Sequence, residues 1–264
     1  MSSLTSFIFR QGKQIVAIGR NYAEHAKELN NKVPKEPFFF LKPTSSYVFN
    51  GGNVEIPDGI VAHHEVELGV VIGKTGRDVS QADAESLIAG YGTCLPSPPP
   101  PSKFPVLLSV IPSFVANVTT RKFRSLAVDM TARNLQDQVK KRGLPWSAAK
   151  GFDTFTPIGE FIAKSAIQDP HNLNLALKIN GVVKQDGNTS DMIFQIPQLI
   201  EHITSIMTLA PGDVILTGTP SGVGPVAAGD QIECTMSDPA SGKILSTLNL
   251  LAINRKDGYK FTPE

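Results

Sequence analysis

Leu173, Leu175, Leu177 and Ile179 alternate with other residues and run directly into Asn180-Gly181. Side chains two apart share one face of a strand, and Asn-Gly accepts the positive-φ turn of a tight hairpin. This stretch therefore commits the chain to antiparallel β-structure. Further strand-like runs occupy Gln14 to Ile18, Phe38 to Leu41, Glu65 to Gly73, Val214 to Leu216, Gln231 to Met236 and Ile244 to Ile253. Helical periodicity is sparser. One helix is expected to open at Asn21, with Glu24 three residues on in a near capping box. A second is expected over Gln81 to Ala89. A third carries Ile196, Leu199, Ile200, Ile203, Ile206 and Met207 on one stripe, with Pro197 near its start. Strands outnumber helices and do not alternate with them, which favours an α+β fold over a doubly wound sheet.

Composition narrows the function classes. The 25 Lys and Arg nearly balance the 24 Asp and Glu, which argues against a nucleic-acid binder working by bulk electrostatics. Two cysteines, Cys94 and Cys234, are too few for a disulfide framework or a cysteine zinc site. No apolar run reaches the roughly 18 residues of a membrane span. Met1 to Arg10 lacks the continuous apolar core of a secretory signal, and no acid precedes Glu24. The expectation is a soluble globular protein of the cytoplasm or the mitochondrion. One stretch stands apart. Gly92 to Ser125 holds seven of the 20 prolines, four of them consecutive, together with four bases and no acid. Consecutive prolines favour an extended polyproline conformation. The segment reads as a disordered insertion into an otherwise regular domain, with a proline-rich partner ligand as the other reading.

Three clusters could carry chemistry. In His63-His64-Glu65-Val66-Glu67-Leu68-Gly69, Glu65 and Glu67 project from one strand face while Val66 and Leu68 enter the apolar one. Adjacent carboxylates repel unless a proton or cation intervenes, and a hard divalent ion, Mg²⁺ or Mn²⁺, suits oxygen ligands best. A solvated strand face is the plainer alternative. In Asp129 to Gln136, an acid at a strand end precedes a helix with Arg133 and Gln136 on one face; Asp129 could equally be an ordinary helix-start acid. In Gly19 to Glu28, His25 and Glu28 share a helix face, as a general base and its orienting carboxylate would, or as a surface pair would. Lys150 lies beside the only tryptophan, Trp146. The glycine-rich run Thr217 to Gly224 fits neither phosphate-loop nor dinucleotide spacing, and reads as a turn or as a backbone cradle for a carboxylate.

Together these segments, with Phe40-Leu41-Lys42-Pro43 and Lys141 through Lys150, resemble the fumarylacetoacetate hydrolase superfamily, in order, from about residue 14 to 236. The similarity is to its short acylpyruvase and oxaloacetate decarboxylase or tautomerase members. The resemblance implies a single domain with a mixed β-roll, a few peripheral helices and a helical lid, interrupted by the insertion at about 92–125, and a homodimer. It implies Mg²⁺ or Mn²⁺ on Glu65, Glu67 and Asp129. His25 and Glu28 would be base and orienter, and Lys150 would bind substrate oxygens. Arg133, Gln136 and Thr219 would complete a pocket for a small 2-oxo dicarboxylate or acylpyruvate. The implied activity is metal-dependent hydrolysis of a carbon–carbon bond in 2,4-dioxo acids, with oxaloacetate decarboxylation or tautomerisation supported by the same site. The alternative is an inactive chain, because the insertion precedes the strand that delivers Asp129 and could displace it.

Overall fold

The computed structural model describes residues 12–30, 32–88, 123–160, 162–163 and 167–263. The first strands are β1 (Ile15–Gly19), β2 (Phe38–Lys42), β3 (Tyr47–Phe49), β4 (Asn53–Ile56), β5 (Ala62–His64) and β6 (Val66–Val71). Then come β7 (Phe123–Val128), β8 (Thr131–Ala132), β9 (Thr156–Ile158), β10 (Ile162–Ala163), β11 (Asn174–Ile179) and β12 (Val182–Asn188). The last four are β13 (Val214–Leu216), β14 (Gly224–Val226), β15 (Gln231–Ser237) and β16 (Ile244–Asn254). The α-helices are α1 (Ala23–Glu28), α2 (Gln81–Leu87), α3 (Arg133–Lys141), α4 (Ser147–Lys150) and α5 (Ile196–Ile206).

The strands form three sheets. The largest runs β2-β1-β13-β6-β7-β9-β3, with β10 also on β7. It is mixed: β1 pairs β13 in parallel, while β6 pairs both β13 and β7 antiparallel. The second runs β12-β11-β15-β16-β4 and the third β14-β5-β8. Sequence texture follows burial. The large sheet carries apolar packing on both faces, so its inner strands read as nearly unbroken apolar runs, such as Ile15 to Ile18 and Val214 to Leu216. The second sheet is solvated on one face, so β11 and β16 alternate. The main core joins Val16, Leu68, Val70 and Leu126 of the first sheet to Leu175, Leu177, Met236 and Leu248 of the second.

The architecture is the α+β, mixed-sheet arrangement expected. The hairpin at Asn180-Gly181 forms, with φ of 51° and 78° at its two turn residues. Helix α5 begins with Pro197 in its first turn and buries Ile196, Leu199, Ile200 and Ile203. Three expectations need correction. Helix α1 starts at Ala23 behind Tyr22, without a side-chain cap, because the Asn21 amide is committed to tertiary bonds. Helix α2 ends at Leu87 rather than Ala89, after an N-terminus where Ser80 accepts the Asp83 N–H. Phe123–Ser125, assigned from sequence to the insertion, already belong to β7 in register with β6. The rest of that segment, residues 92–122, lies outside the described residues. Among the described residues no helix is long and apolar enough to cross a membrane.

Candidate active site

The site lies where the chain passes from one sheet to another. Strand β5 belongs to the small sheet and β6 to the large one, with Glu65 at the changeover. Strand β7 runs alongside β6 and ends at Val128; the Asp129 N–H then donates to the Glu65 carbonyl at 2.8 Å. Glu65, Glu67 and Asp129 are thereby brought together, each offering a carboxylate oxygen within 4.8 Å of the others. All three are buried. The solvated-strand alternative is thus excluded, and Asp129 stands with the two glutamates despite the segment that precedes its strand.

Cations hold this cluster. Lys150, from α4, donates to Asp129 Oδ2 at 2.5 Å and to Glu65 Oε2 at 3.0 Å. The Arg133 guanidinium donates to Glu65 Oε1 and to Gln136 Oε1, each at 2.7 Å. Thr131 Oγ1 also donates to Glu65 Oε1. Lys42, at the inner end of β2, completes the set. It is fully enclosed, donates to Asp129 Oδ1, and meets the Phe155 carbonyl at 2.8 Å. The sequence reading gave Lys42 no role.

Titration follows this geometry. Burial pushes Glu67 up, and the neighbouring Asp129 and Glu65 carboxylates push it further, well above the ordinary 4.5. Burial works the same way on Glu65, but Lys150, Arg133 and His25 overcome it and hold Glu65 below the usual range. Lys150 is raised, because Asp129 and Glu65 outweigh its burial. Lys42 is lowered, because burial outweighs Asp129. His63 is pulled down to about 4 by burial and by Arg133. A buried carboxylate trio in which one member is forced toward protonation is a donor set suited to a hard divalent ion, which would favour the ionised form of Glu67.

Helix α1, which carries His25 and Glu28 and stands where the lid was expected, borders the same pocket through His25. Glu28 Oε2 lies 3.3 Å from His25 Nδ1, and the Glu28 carboxylate also accepts the Gly222 N–H at 3.0 Å. A carboxylate can only accept, so Nδ1 carries the proton and Nε2 is left as the basic nitrogen. Asn21 anchors the lid. Its amide donates to the Thr217 and Phe194 carbonyls at 2.8 and 2.9 Å and accepts the Phe194 N–H at 2.8 Å. In the 217–224 loop, the Gly218 N–H donates to Glu67 at 2.7 Å. Gly218 has φ of 95°, and a Cβ there would lie 2.7 Å from the Asn21 Cβ, so both the turn and the close approach require glycine. Thr219 follows; its N–H makes no hydrogen bond among the described residues, and it lines the pocket with His25, Arg133, Gln136 and Lys150. Every residue singled out from sequence as a site candidate is therefore in one place. Those missed were Lys42, Asn21 and Gln185, whose partners are all distant in the chain.

Comparison with known proteins agrees with this picture. The model of the fumarylacetoacetate hydrolase C-terminal family matches residues 14–95 and 124–249. The chain is 50% identical over 232 residues to a protein from Arabidopsis thaliana named mitochondrial oxaloacetate tautomerase FAHD1, covering 88% of this chain and 89% of that one. It is 49% identical over 225 residues to a mitochondrial oxaloacetate decarboxylase of Dictyostelium discoideum, covering 84% and 88%. A solved structure of fumarylpyruvate hydrolase from Pseudomonas aeruginosa, in complex with Mn²⁺ and pyruvate, superposes with a TM-score of 0.72 at 27% identity, over 92% of this chain and 91% of that one.

Proposed function

The chain belongs to the fumarylacetoacetate hydrolase family, and on that premise we propose that it is a divalent-metal-dependent enzyme of small 2-oxo acids, acting on oxaloacetate as tautomerase or decarboxylase. Hydrolysis of acylpyruvates at the same site is the second activity proposed. The observation that carries this reading is the buried Glu65–Glu67–Asp129 cluster, ringed by Lys42, Lys150 and Arg133 and faced by the His25–Glu28 pair. Three carboxylates cancel three cations, so a divalent ion leaves the site with two positive charges, the complement of a dicarboxylate dianion. Mg²⁺ or Mn²⁺ on those carboxylates would supply Lewis-acid polarisation of the 2-oxo carbonyl.

The protein's own groups do the rest. Lys150, kept protonated by Asp129 and Glu65, balances negative charge that develops on the substrate keto oxygen. The Thr219 N–H is a donor for a substrate carboxylate, and Arg133 and Gln136 flank it. His25 Nε2 takes a proton from the carbon between the two carbonyl groups and passes it to the enolate oxygen, and the reverse transfer restores the keto form, which interconverts keto and enol forms. Loss of carbon dioxide from oxaloacetate yields pyruvate enolate, which takes up a proton supplied by water through His25. With an acylpyruvate, His25 instead takes the proton of a water that attacks the distal carbonyl; carbon–carbon cleavage gives a carboxylic acid and the same enolate. The relatives' names make the mitochondrion the proposed compartment, and the assembly proposed is a homodimer, which light scattering on the purified chain tests. The activity is tested by following the ultraviolet absorbance of oxaloacetate and acetylpyruvate with Mn²⁺, with Mg²⁺ and with chelator. Metal-dependent turnover of oxaloacetate is expected; equal rates with chelator would refute the reading.

A further inference from the structure

Gln185 sits in β12 with 1% of its surface exposed, and all four of its hydrogen-bonding positions are used. One end of its amide meets the Val66 N–H and His64 Nδ1, each at 3.0 Å. The other meets Thr219 Oγ1 at 2.8 Å and the Pro220 carbonyl at 2.9 Å. Two of these partners allow no choice. The Val66 N–H can only donate and the Pro220 carbonyl can only accept, so the amide oxygen faces Val66 and the NH₂ group faces the loop. His64 must then carry its proton on Nδ1. Thr219 Oγ1 must accept from Gln185, and its own proton goes to the Val66 carbonyl, 2.8 Å away. A hydroxyl has one proton and two lone pairs. One lone pair is the only capacity the Thr219 hydroxyl has left.

We infer that Gln185 is a positioning residue that, together with the Val66 carbonyl that takes the Thr219 proton, fixes the Thr219 hydroxyl as an acceptor, so that this hydroxyl reads a ligand O–H or N–H, such as an enol hydroxyl, and disfavours a carboxylate oxygen. The inference rests on the proposed reading of Thr219 as a substrate contact. It goes beyond that reading by giving two atoms of one residue opposite roles: the Thr219 N–H serves a carboxylate and Oγ1 serves a donor. In an enzyme interconverting keto and enol forms, this acceptor would add a contact that the enol hydroxyl makes and the keto oxygen does not.

Calorimetric titration of the full Mn²⁺-loaded chain tests this with two probes of nearly equal shape. Oxalate offers acceptor oxygens only; oxamate replaces one of them with an NH₂ donor. Thr219→Val should weaken oxamate about fivefold, the size of one net hydrogen bond, and leave oxalate within about twofold. Thr219→Ser, which retains the hydroxyl, should behave as wild type, and Gln185→Met should shrink the preference because Thr219 is then free to turn. A larger loss for oxalate than for oxamate in Thr219→Val would overturn the inference, as would equal affinities of both probes in both proteins. If the wild type binds neither probe, the proposed function fails, and the ring ¹⁵N shifts of His64 still decide the proton order. The Nδ1–H form upholds it, and the Nε2–H form refutes it.

Discussion

Replacing Lys42 by Met removes a buried charge while preserving the length of the side chain. The Lys42 ammonium lies against one oxygen of Asp129, and Lys150 holds the other. Taking away one partner of a buried ion pair costs about 3–5 kcal/mol, because the remaining charge stays desolvated. Several features place this case at the lower end. Asp129 keeps Lys150. The Phe155 carbonyl keeps the Met130 N–H, 3.0 Å away. Burial also lowers Lys42 more than Asp129 raises it, so part of the loss returns as recovered desolvation. A loss of about 3 kcal/mol corresponds to a fall of roughly 6–12 °C in Tm for a chain of this size. The assay is thermal unfolding followed by near-ultraviolet circular dichroism, with chelator and with saturating Mn²⁺. Mn²⁺ would restore a cation beside Asp129, so the metal-induced rise in Tm must be larger in Lys42→Met than in wild type. The same change removes one positive charge from behind Asp129 and should raise KM for oxaloacetate, a dianion, more than for acetylpyruvate, a monoanion. An unchanged Tm, or identical Mn²⁺-induced shifts in the two proteins, would refute the placement of Lys42 as part of the site's charge balance.

Glu67→Gln should abolish Mn²⁺-dependent stabilisation yet stabilise the metal-free chain at neutral pH. Glu67 is raised above its ordinary 4.5 in the fold, so its contribution is complete below that value and is lost as pH rises toward the folded pKa; glutamine stays neutral throughout, and unfolding in chelator at acid and neutral pH checks the sign. His25→Ala should slow oxaloacetate turnover by about a hundredfold or more, the usual share of a general base, with Mn²⁺ affinity by calorimetry nearly unchanged. A collapse of metal affinity would instead make His25 structural. Asn21→Ala deletes three buried hydrogen bonds, two to the Phe194 backbone and one to the Thr217 carbonyl, at about 1 kcal/mol each, and should lower the urea midpoint without changing the m-value.

Much of this was legible in the chain because period-two and helical spacing report which residues share a face. Glu65 with Glu67, Arg133 with Gln136, and His25 with Glu28 are pairs of that kind. Burial was not legible, since it depends on what a distant segment lays over the pair. The β2 strand shows the limit. Phe38-Phe39-Phe40-Leu41-Lys42 reads as an apolar run that ends in a charge, yet Leu41 is 42% exposed and Lys42 only 2%. The lysine turns inward because Asp129, far along the chain, pairs with it. Gln185 is hidden in the same way, flanked by exposed Lys184 and Asp186 in a hairpin strand whose residues are mostly polar. Asn21 misled the helix boundary for a related reason. Asn beside a helical run signals a cap, but here the amide satisfies the backbone at Phe194 and Thr217 instead.

These distant bonds converge on the short loop from Thr217 to Gly224, and that convergence restricts how the site can move. The loop gives the Gly218 N–H to Glu67, the Gly222 N–H to Glu28, the Thr219 hydroxyl to Val66, and the Thr217 carbonyl to Asn21. It therefore touches a carboxylate of the proposed metal site, the residue that orients the base, and the anchor of the lid. Gly222 has φ of 94°, and a Cβ there would stand 2.0 Å from the Lys184 carbonyl, next to Gln185. The loop is pressed against β12 on one side and against the lid on the other. A shift of α1 that breaks the Glu28 bond to Gly222 removes one of the loop's ties, while Thr219 stays held by Gln185 and the Val66 carbonyl. One short backbone segment thus contacts both the His25–Glu28 pair and the carboxylate cluster, which ties the position of α1 to that of Glu67.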